Sequence, residues 1–408
     1  MTNFDHKATE DLTFEEILAL DDPEKTRLGL MYTPQEIAQQ PSTWLETFQI
    51  INNSKEDLQK FLSSCGLTQN DSDTLVVTLI GAGTSDYIGR AIAALLRKQW
   101  RCHVQVVAST ELMTEMEALV ESAPENSRHL WISFSRSGDS YEGVRVIETA
   151  LKKYPAINHL IVTCNAGGRM AADLSVERPN VLCITLDDKV NDRGLAMTSS
   201  FTNMVVAGQC IANIWNLDSY KTVLDELSSS STSTLSAAAA LAAKVAKSNF
   251  SRICFLGTGP LRAVGDESSL KVMELSAGYF SVMSESFLGL RHGPLSWLNR
   301  HSLVVAFLSN SAEKQSVELG LLEELRRKAV AGNILIISPQ ENPAASRLSD
   351  HQLILNLPRS IDDEYRPPVD VIFAQCLGLF ASLRHGLRPD EPSADGKIQR
   401  VVSNISIA

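Results

Sequence analysis

The turn Ser135-Arg136-Ser137-Gly138-Asp139-Ser140 lies between an apolar run and a helical stretch. Three hydroxyls, a glycine and the amide groups of a helix start can hold a phosphate monoester without a metal. An N-cap alone would need only one of these serines, so three favour a ligand. No Gly-Lys-Ser/Thr follows, which excludes a P-loop. A second strand-to-helix turn, Gly81-Ala82-Gly83-Thr84-Ser85-Asp86, has glycines that let the backbone approach a ligand. Asp86 stands where a dinucleotide-binding turn needs its third glycine. The next strand ends in Ala108-Ser109-Thr110 rather than in an acid for a ribose hydroxyl, so a nicotinamide site loses.

Glu267, Lys271 and Glu274 are spaced i, i+4 and i+7, which puts them on one stripe of a helix. A charged stripe is by default a solvated face carrying a surface ion pair. This one is interleaved with Leu270, Val272, Met273 and Leu275 and follows a Gly-x-Gly turn. A lysine between two glutamates can keep one carboxylate ionised and oriented as a base. His292, in Leu290-Arg291-His292-Gly293-Pro294-Leu295, could shuttle a proton near neutral pH, although a structural role is the commoner one for a lone histidine. The other histidines show no ligand spacing. The seven cysteines are scattered and form no C-x-x-C pair, so neither a zinc site nor a disulfide framework is expected. The chemistry expected of these residues needs no metal and no cofactor.

The elements that must position these groups are legible in the same chain. It has 408 residues, 44% of them hydrophobic, enough for two or three domains. The formal net charge of −11, with no Lys/Arg block, argues against nucleic acid or an anionic membrane as partner. No apolar run reaches the roughly 18 residues of a membrane span, and the first residues do not read as a secretory leader. A cytoplasmic soluble protein is the expectation.

Thr13 with Glu16 three residues on, and Thr33-Pro34 ahead of Gln35–Ala38, signal short helices near the start, and residues 45–64 read as another amphipathic helix. Strands are expected at Leu75–Ile80, Val104–Val107, Leu130–Phe134, His159–Thr163 and Val181–Thr185. Helices such as Ile88–Trp100, Tyr141–Lys153 and Met204–Trp215 separate them, the pattern of a parallel sheet covered on both faces. The second half echoes the first. Leu79–Gly83 is matched by Phe255–Gly259, and Trp131–Ser137 by Val304–Ser311. Gly81 to Ser135 spans 54 positions and Gly257 to Ser309 spans 52. Later strands recur at Ile334–Ile337 and Gln352–Leu355. Two tandem α/β units are therefore expected. The Ser/Thr run Ser228–Ser236 could cap the alanine-rich helix behind it, but a short joint between domains is the better reading. The resulting division is a helical segment over 1–45, domains over 46–225 and 226–390, and a tail over 391–408.

Taken in order, these motifs resemble the tandem sugar isomerase (SIS) fold, as in the isomerase half of glucosamine-6-phosphate synthase. The resemblance covers roughly residues 45–408 and implies two flavodoxin-like three-layer domains. It implies a sugar-phosphate site built from Gly83, Thr84, Ser85, Ser135, Arg136, Ser137 and Ser140. It makes Glu274 the proton-transferring glutamate, with Lys271 and Glu267 in support. His292, in the His-Gly-Pro-Leu motif, would be the ring-opening histidine donated by a neighbouring subunit, which requires a homodimer or higher homo-oligomer. Two departures point away from synthesis. The glutaminase domain with its amino-terminal cysteine is missing, and Ser403 stands where the synthase carries a Schiff-base lysine, with Arg400 the nearest cation. Together with the preface Tyr32-Thr33-Pro34-Gln35-Glu36-Ile37, these features are similar to the AgaS group, galactosamine-6-phosphate deaminase/isomerases long labelled tagatose-6-phosphate ketose/aldose isomerases. The expected reaction is conversion of galactosamine 6-phosphate to tagatose 6-phosphate and ammonia. Isomerisation of a sugar phosphate without nitrogen is the alternative, and a non-catalytic sugar-phosphate sensor is a more distant one.

Overall fold

The computed structural model describes residues 11–67, 74–124, 126–393 and 395–402. In the first half, five short apolar runs form strands β1 (Leu75–Gly81), β2 (His103–Ala108), β3 (Arg128–Ser135), β4 (Asn158–Thr163) and β5 (Val181–Thr185). They build one parallel sheet in the order β2-β1-β3-β4-β5. Every residue of β1 is buried, as a strand covered on both faces requires. The second half contributes β6 (Arg252–Gly257), β7 (Ser281–Ser286), β8 (Ser302–Phe307), β9 (Asn333–Ser338) and β10 (His351–Ile354). Their sheet runs β10-β9-β8-β6-β7, again parallel, so the duplication expected from the sequence is a duplication of topology.

The chain divides into two compact units. Among the described residues, one holds the first sheet, with Ser42–Asn191, Ser199–Leu224 and Ile398–Val402. The other holds the second sheet, with Asp11–Pro41, Asp192–Thr198 and Asp225–Lys397. The first core gathers Ile80, Leu112, Trp131 and Val146 around its sheet. The second gathers Leu256, Val304, Ala306, Leu322 and Ile336. Among the described residues no helix is long and apolar enough to cross a membrane.

Helix starts follow their local signals. Thr13 and Glu16 form a complete capping box, and Thr33-Pro34 opens the Thr33–Ala38 helix. The 45–64 stretch is two helices, Gln40–Asn53 and Lys55–Ser64. The helix expected over Met204–Trp215 begins five residues earlier, at Ser199, and ends at Ala212.

Three expectations are corrected. The Ser228–Ser236 run is no joint, because it lies inside one continuous helix, Leu217–Ala246. Its hydroxyls return to the helix backbone, Thr232 and Thr234 each donating to a carbonyl four residues back at 2.8 Å, while Ser228 donates to the Pro41 carbonyl at 2.8 Å. Satisfied in this way, serine and threonine do not break a helix. Strand β7 escaped the sequence pattern because Ser-Val-Met-Ser-Glu-Ser has no continuous apolar run, and as an edge strand it needs none. Finally, Ser133 pairs with Ile80 and Ala306 with Leu256, so Leu308 rather than Ser309 stands where Ser135 stands.

Candidate functional site

In an open parallel sheet, the crevice for a ligand lies outside the carboxyl ends of the strands, where the strand order reverses. In the first sheet that point is between β1 and β3, neighbours from which chain continues outward in opposite directions. The two turns singled out in the sequence leave these strands side by side. Gly83 carries φ 56° and ψ −126°, a conformation open to glycine but costly for other residues, and starts the Thr84–Trp100 helix. Thr84 and Ser85 are buried in its first turn. After β3, the Ser135 hydroxyl accepts the Gly138 amide and the Ser137 hydroxyl accepts the Asp139 amide, both at 3.1 Å. Each hydroxyl thus shapes the turn while keeping its proton to donate. Ser140 closes the turn at the N-cap of Tyr141–Lys153.

The turn has a buttress that sequence reasoning missed. The side-chain amide of Asn165 donates to the Ser137 carbonyl at 2.8 Å, and the backbone amides of Arg169 and Met170 reach Asp139 and Gly138. Gly168 lies so close that a Cβ there would stand 2.4 Å from the Ser137 oxygen. The available signal was Asn165-Ala166-Gly167-Gly168 directly after β4, a turn sequence at a third strand end.

Arg136 is buried within the turn, and its guanidinium donates to the backbone carbonyl of Arg400. Arg400 in turn donates to the Asn191 side-chain oxygen at 2.8 Å. Arg136 thereby ties the tail to the turn. Ser403 lies outside the described residues.

In the other unit, the Pro260–Leu275 helix follows Gly259, whose φ 60° and ψ −127° repeat the geometry of Gly83. Glu267 and Lys271 are fully buried, and Glu274 keeps 22% of its side chain exposed. The Lys271 ammonium is 2.5 Å from Glu274 Oε2 and 3.5 Å from Glu267 Oε1. This is no solvated face. It is a buried cation held between two carboxylates, only one of which reaches the surface. A buried ammonium needs such partners, and the short contact orients the outward carboxylate.

His292 follows β7 in a loop of two short 3-10 turns, Gly289–Arg291 and Pro294–Trp297, with Gly293 at φ 119° between them. Its imidazole is exposed, and it makes no hydrogen bond or ion pair with the glutamates or any other described residue. Within each unit, then, the structure brings together the two phosphate-type turns, and separately the Glu267–Lys271–Glu274 line. Among the described residues, no group of three or more His, Cys, Asp or Glu is placed to hold a metal ion.

Comparison with known proteins gives a consistent picture. The SIS domain pattern matches residues 74–214 and 245–382. An AgaS protein of Streptomyces coelicolor is 34% identical over 380 residues, 92% of this chain and 95% of the relative. The Escherichia coli D-galactosamine-6-phosphate deaminase AgaS is 32% identical over 381 residues, with the same coverage of 92% and 95%. Among solved structures, the tagatose-6-phosphate ketose/aldose isomerase from Escherichia coli superposes with a TM-score of 0.81 at 30% identity, covering 89% of this chain and 95% of that one. The C-terminal domain of glucosamine-fructose-6-phosphate aminotransferase from Francisella tularensis shares the fold, with a TM-score of 0.67 at 17% identity over 87% of this chain and 96% of that one.

Proposed function

The chain belongs to the SIS domain family and, within it, to the AgaS group, and on that premise we propose that it converts galactosamine 6-phosphate and water to tagatose 6-phosphate and ammonia. The observation that carries this reading is the Glu267–Lys271–Glu274 line. A sugar-phosphate sensor needs a phosphate turn but no base, whereas this helix maintains a buried lysine 2.5 Å from a carboxylate that reaches solvent.

In the proposed reaction the substrate phosphate takes the hydroxyls of Ser135, Ser137 and Ser140 and the amides of the Gly83-Thr84-Ser85 turn. His292 assists ring opening. Glu274 removes the proton from C2 of the open aldehyde as the aldehyde oxygen gains one, which forms an enolamine. Return of a proton to C1 leaves a ketimine at C2. Water adds to that carbon, the C–N bond breaks, and ammonia leaves with a ketose phosphate behind. The steps are proton transfers and a hydrolysis, and C1 is reduced at the expense of C2 within the substrate, so no external oxidant or reductant is consumed.

The exposed, unengaged imidazole of His292 supports its donation to a neighbouring subunit's site in a homodimer. The acidic net charge and the sugar-phosphate chemistry are what support placing the enzyme in the cytoplasm. Arg400 and the tail are assigned to steadying the phosphate turn through Arg136.

Ammonia release from galactosamine 6-phosphate by the purified protein tests the proposal, with glucosamine 6-phosphate and tagatose 6-phosphate run alongside. Ammonia together with a ketose phosphate from the galacto sugar is the expected result. Interconversion of tagatose 6-phosphate with its aldose, without ammonia from either amino sugar, would replace this reading with simple isomerisation. Inactivity on all three sugars would leave the sensor.

A further inference from the structure

The duplication gives the second sheet its own crevice. Its order reverses between β6 and β8, so by the same rule a ligand would sit beside the turns Gly257–Pro260 and Leu308–Ser311. The first of these turns copies its counterpart: a Cβ at Gly257 would strike the Leu261 carbonyl, as one at Gly81 would strike that of Ser85. The second is equipped for an anion, and an anion is already there. Asp363 Oδ1 accepts the Asn310 amide at 2.7 Å, and Oδ2 accepts the Ser309 hydroxyl and the Lys314 ammonium, the latter at 3.1 Å. The fully buried Arg366 places a guanidinium 3.0 Å from Oδ1, donates to the Leu308 carbonyl at 2.7 Å and is also paired at 2.8 Å with buried Asp370, while Glu318 accepts the Ser309 amide at 2.8 Å. A hydroxyl, a backbone amide, a lysine and an arginine are the usual partners of a phosphate monoester.

The turn after β3 has no such occupant. Among the described residues no carboxylate bonds to Ser135 or Ser137, and Asp139 is turned toward the Arg169 amide at 2.8 Å. Burial by itself would raise the pKa of Asp363, but Arg366 and the donors of the turn outweigh it and hold the carboxyl below its ordinary value, so it stays an anion.

We propose that the turn after β8 is the second repeat's phosphate cradle, filled by the chain's own Asp363 carboxylate, so that each chain takes a single sugar phosphate, at the turn after β3. This rests on the reading of Ser135–Ser140 as the substrate's phosphate site. Removal of Asp363 leaves Ser309, Asn310, Lys314 and Arg366 facing a vacancy that an external anion can fill.

The test is the stoichiometry of inorganic phosphate binding to the full chain, read by equilibrium dialysis. The wild type should bind one phosphate per chain, weakened in Ser137→Ala. Asp363→Ala should bind two, and adding Lys314→Ala should remove the second. A wild type that binds two, or a folded Asp363→Ala that still binds one, overturns the proposal. A wild type that binds none, with one in Asp363→Ala, upholds the filled cradle while refuting the site assigned to Ser135–Ser140. Should Asp363→Ala fail to fold, Asp363→Ser removes the charge and shortens the side chain, which leaves room for an anion. Phosphate should then raise its thermal midpoint by several degrees more than that of the wild type, and an equal rise overturns the proposal.

Discussion

Lys271 lies between Glu267 and Glu274 with no contact with water. Replacement by methionine leaves Glu267 buried opposite an apolar chain, and breaking a buried pair in this way costs about 3–5 kcal/mol. Lys271→Met should lower the denaturant midpoint accordingly. Glu274 is the member of the line that reaches solvent, so Glu274→Gln keeps size and hydrogen bonding but removes the base. A positioned base contributes roughly 10²–10⁴-fold, so kcat should fall by that factor while substrate still binds. Exchange at C2 in deuterated water should vanish, and its survival would remove Glu274 from the mechanism. In the proposed reaction the Ser137 hydroxyl holds a phosphate that does not change. Ser137→Ala should therefore raise KM more than it lowers kcat, and a change confined to kcat would mean that the hydroxyl lies elsewhere.

The Ser135–Ser140 turn is an element with a support of its own. Gly168 has φ −70°, which any residue adopts, so alanine there is penalised by space alone. Its methyl must displace the Ser137 carbonyl and with it the turn that Asn165 holds. Gly168→Ala should thus resemble Ser137→Ala kinetically, with KM raised and the fold kept, as circular dichroism would check. Helices carry the other half of the chemistry. The Pro260–Leu275 helix presents its charged stripe inward, so the interleaved hydrophobic residues that the sequence displayed were a sign of burial and not of an ordinary surface ion pair.

Across the whole molecule, two buried groups titrate in opposite senses. Burial, with Asp192 nearby, pushes Glu36 from an ordinary 4.5 up to about 8, against hydrogen bonds from the Arg193 and Gly194 amides. An acid whose folded value is raised gives stability that is complete below 4.5 and is lost as pH climbs to about 8. His159, fully buried against the edge of Trp131, is lowered by burial from 6.5 to about 4, so its contribution is complete above 6.5 and is lost as pH falls to about 4. Between 4.5 and 6.5 the two slopes oppose each other. Of these two, only Glu36 acts above 6.5, at a slope of about 1.4 kcal/mol per pH unit. Urea midpoints should therefore decline from pH 6.5 toward 8, and Glu36→Gln should flatten that decline. An unchanged decline in the variant would assign it to other groups.

Composition and periodicity by themselves determined the two parallel sheets, because strands buried on both faces must read as continuous apolar runs. The same patterning placed Ser135, Ser137, Glu274 and Lys271 on their elements, since glycine turns and helical spacing are local properties. Edge strand β7 and the unbroken Leu217–Ala246 helix were hidden, because a half-exposed edge needs no apolar run and Ser/Thr preferences yield to backbone hydrogen bonding. Only the tertiary structure decided partnerships between residues far apart in sequence. It set Asn165 and Gly168 under the Ser135–Ser140 turn, Arg400 on Arg136, and Asp363 on Ser309, 54 positions away. Such pairings depend on which strand ends and loops become neighbours in the folded chain, and local sequence preferences do not encode that.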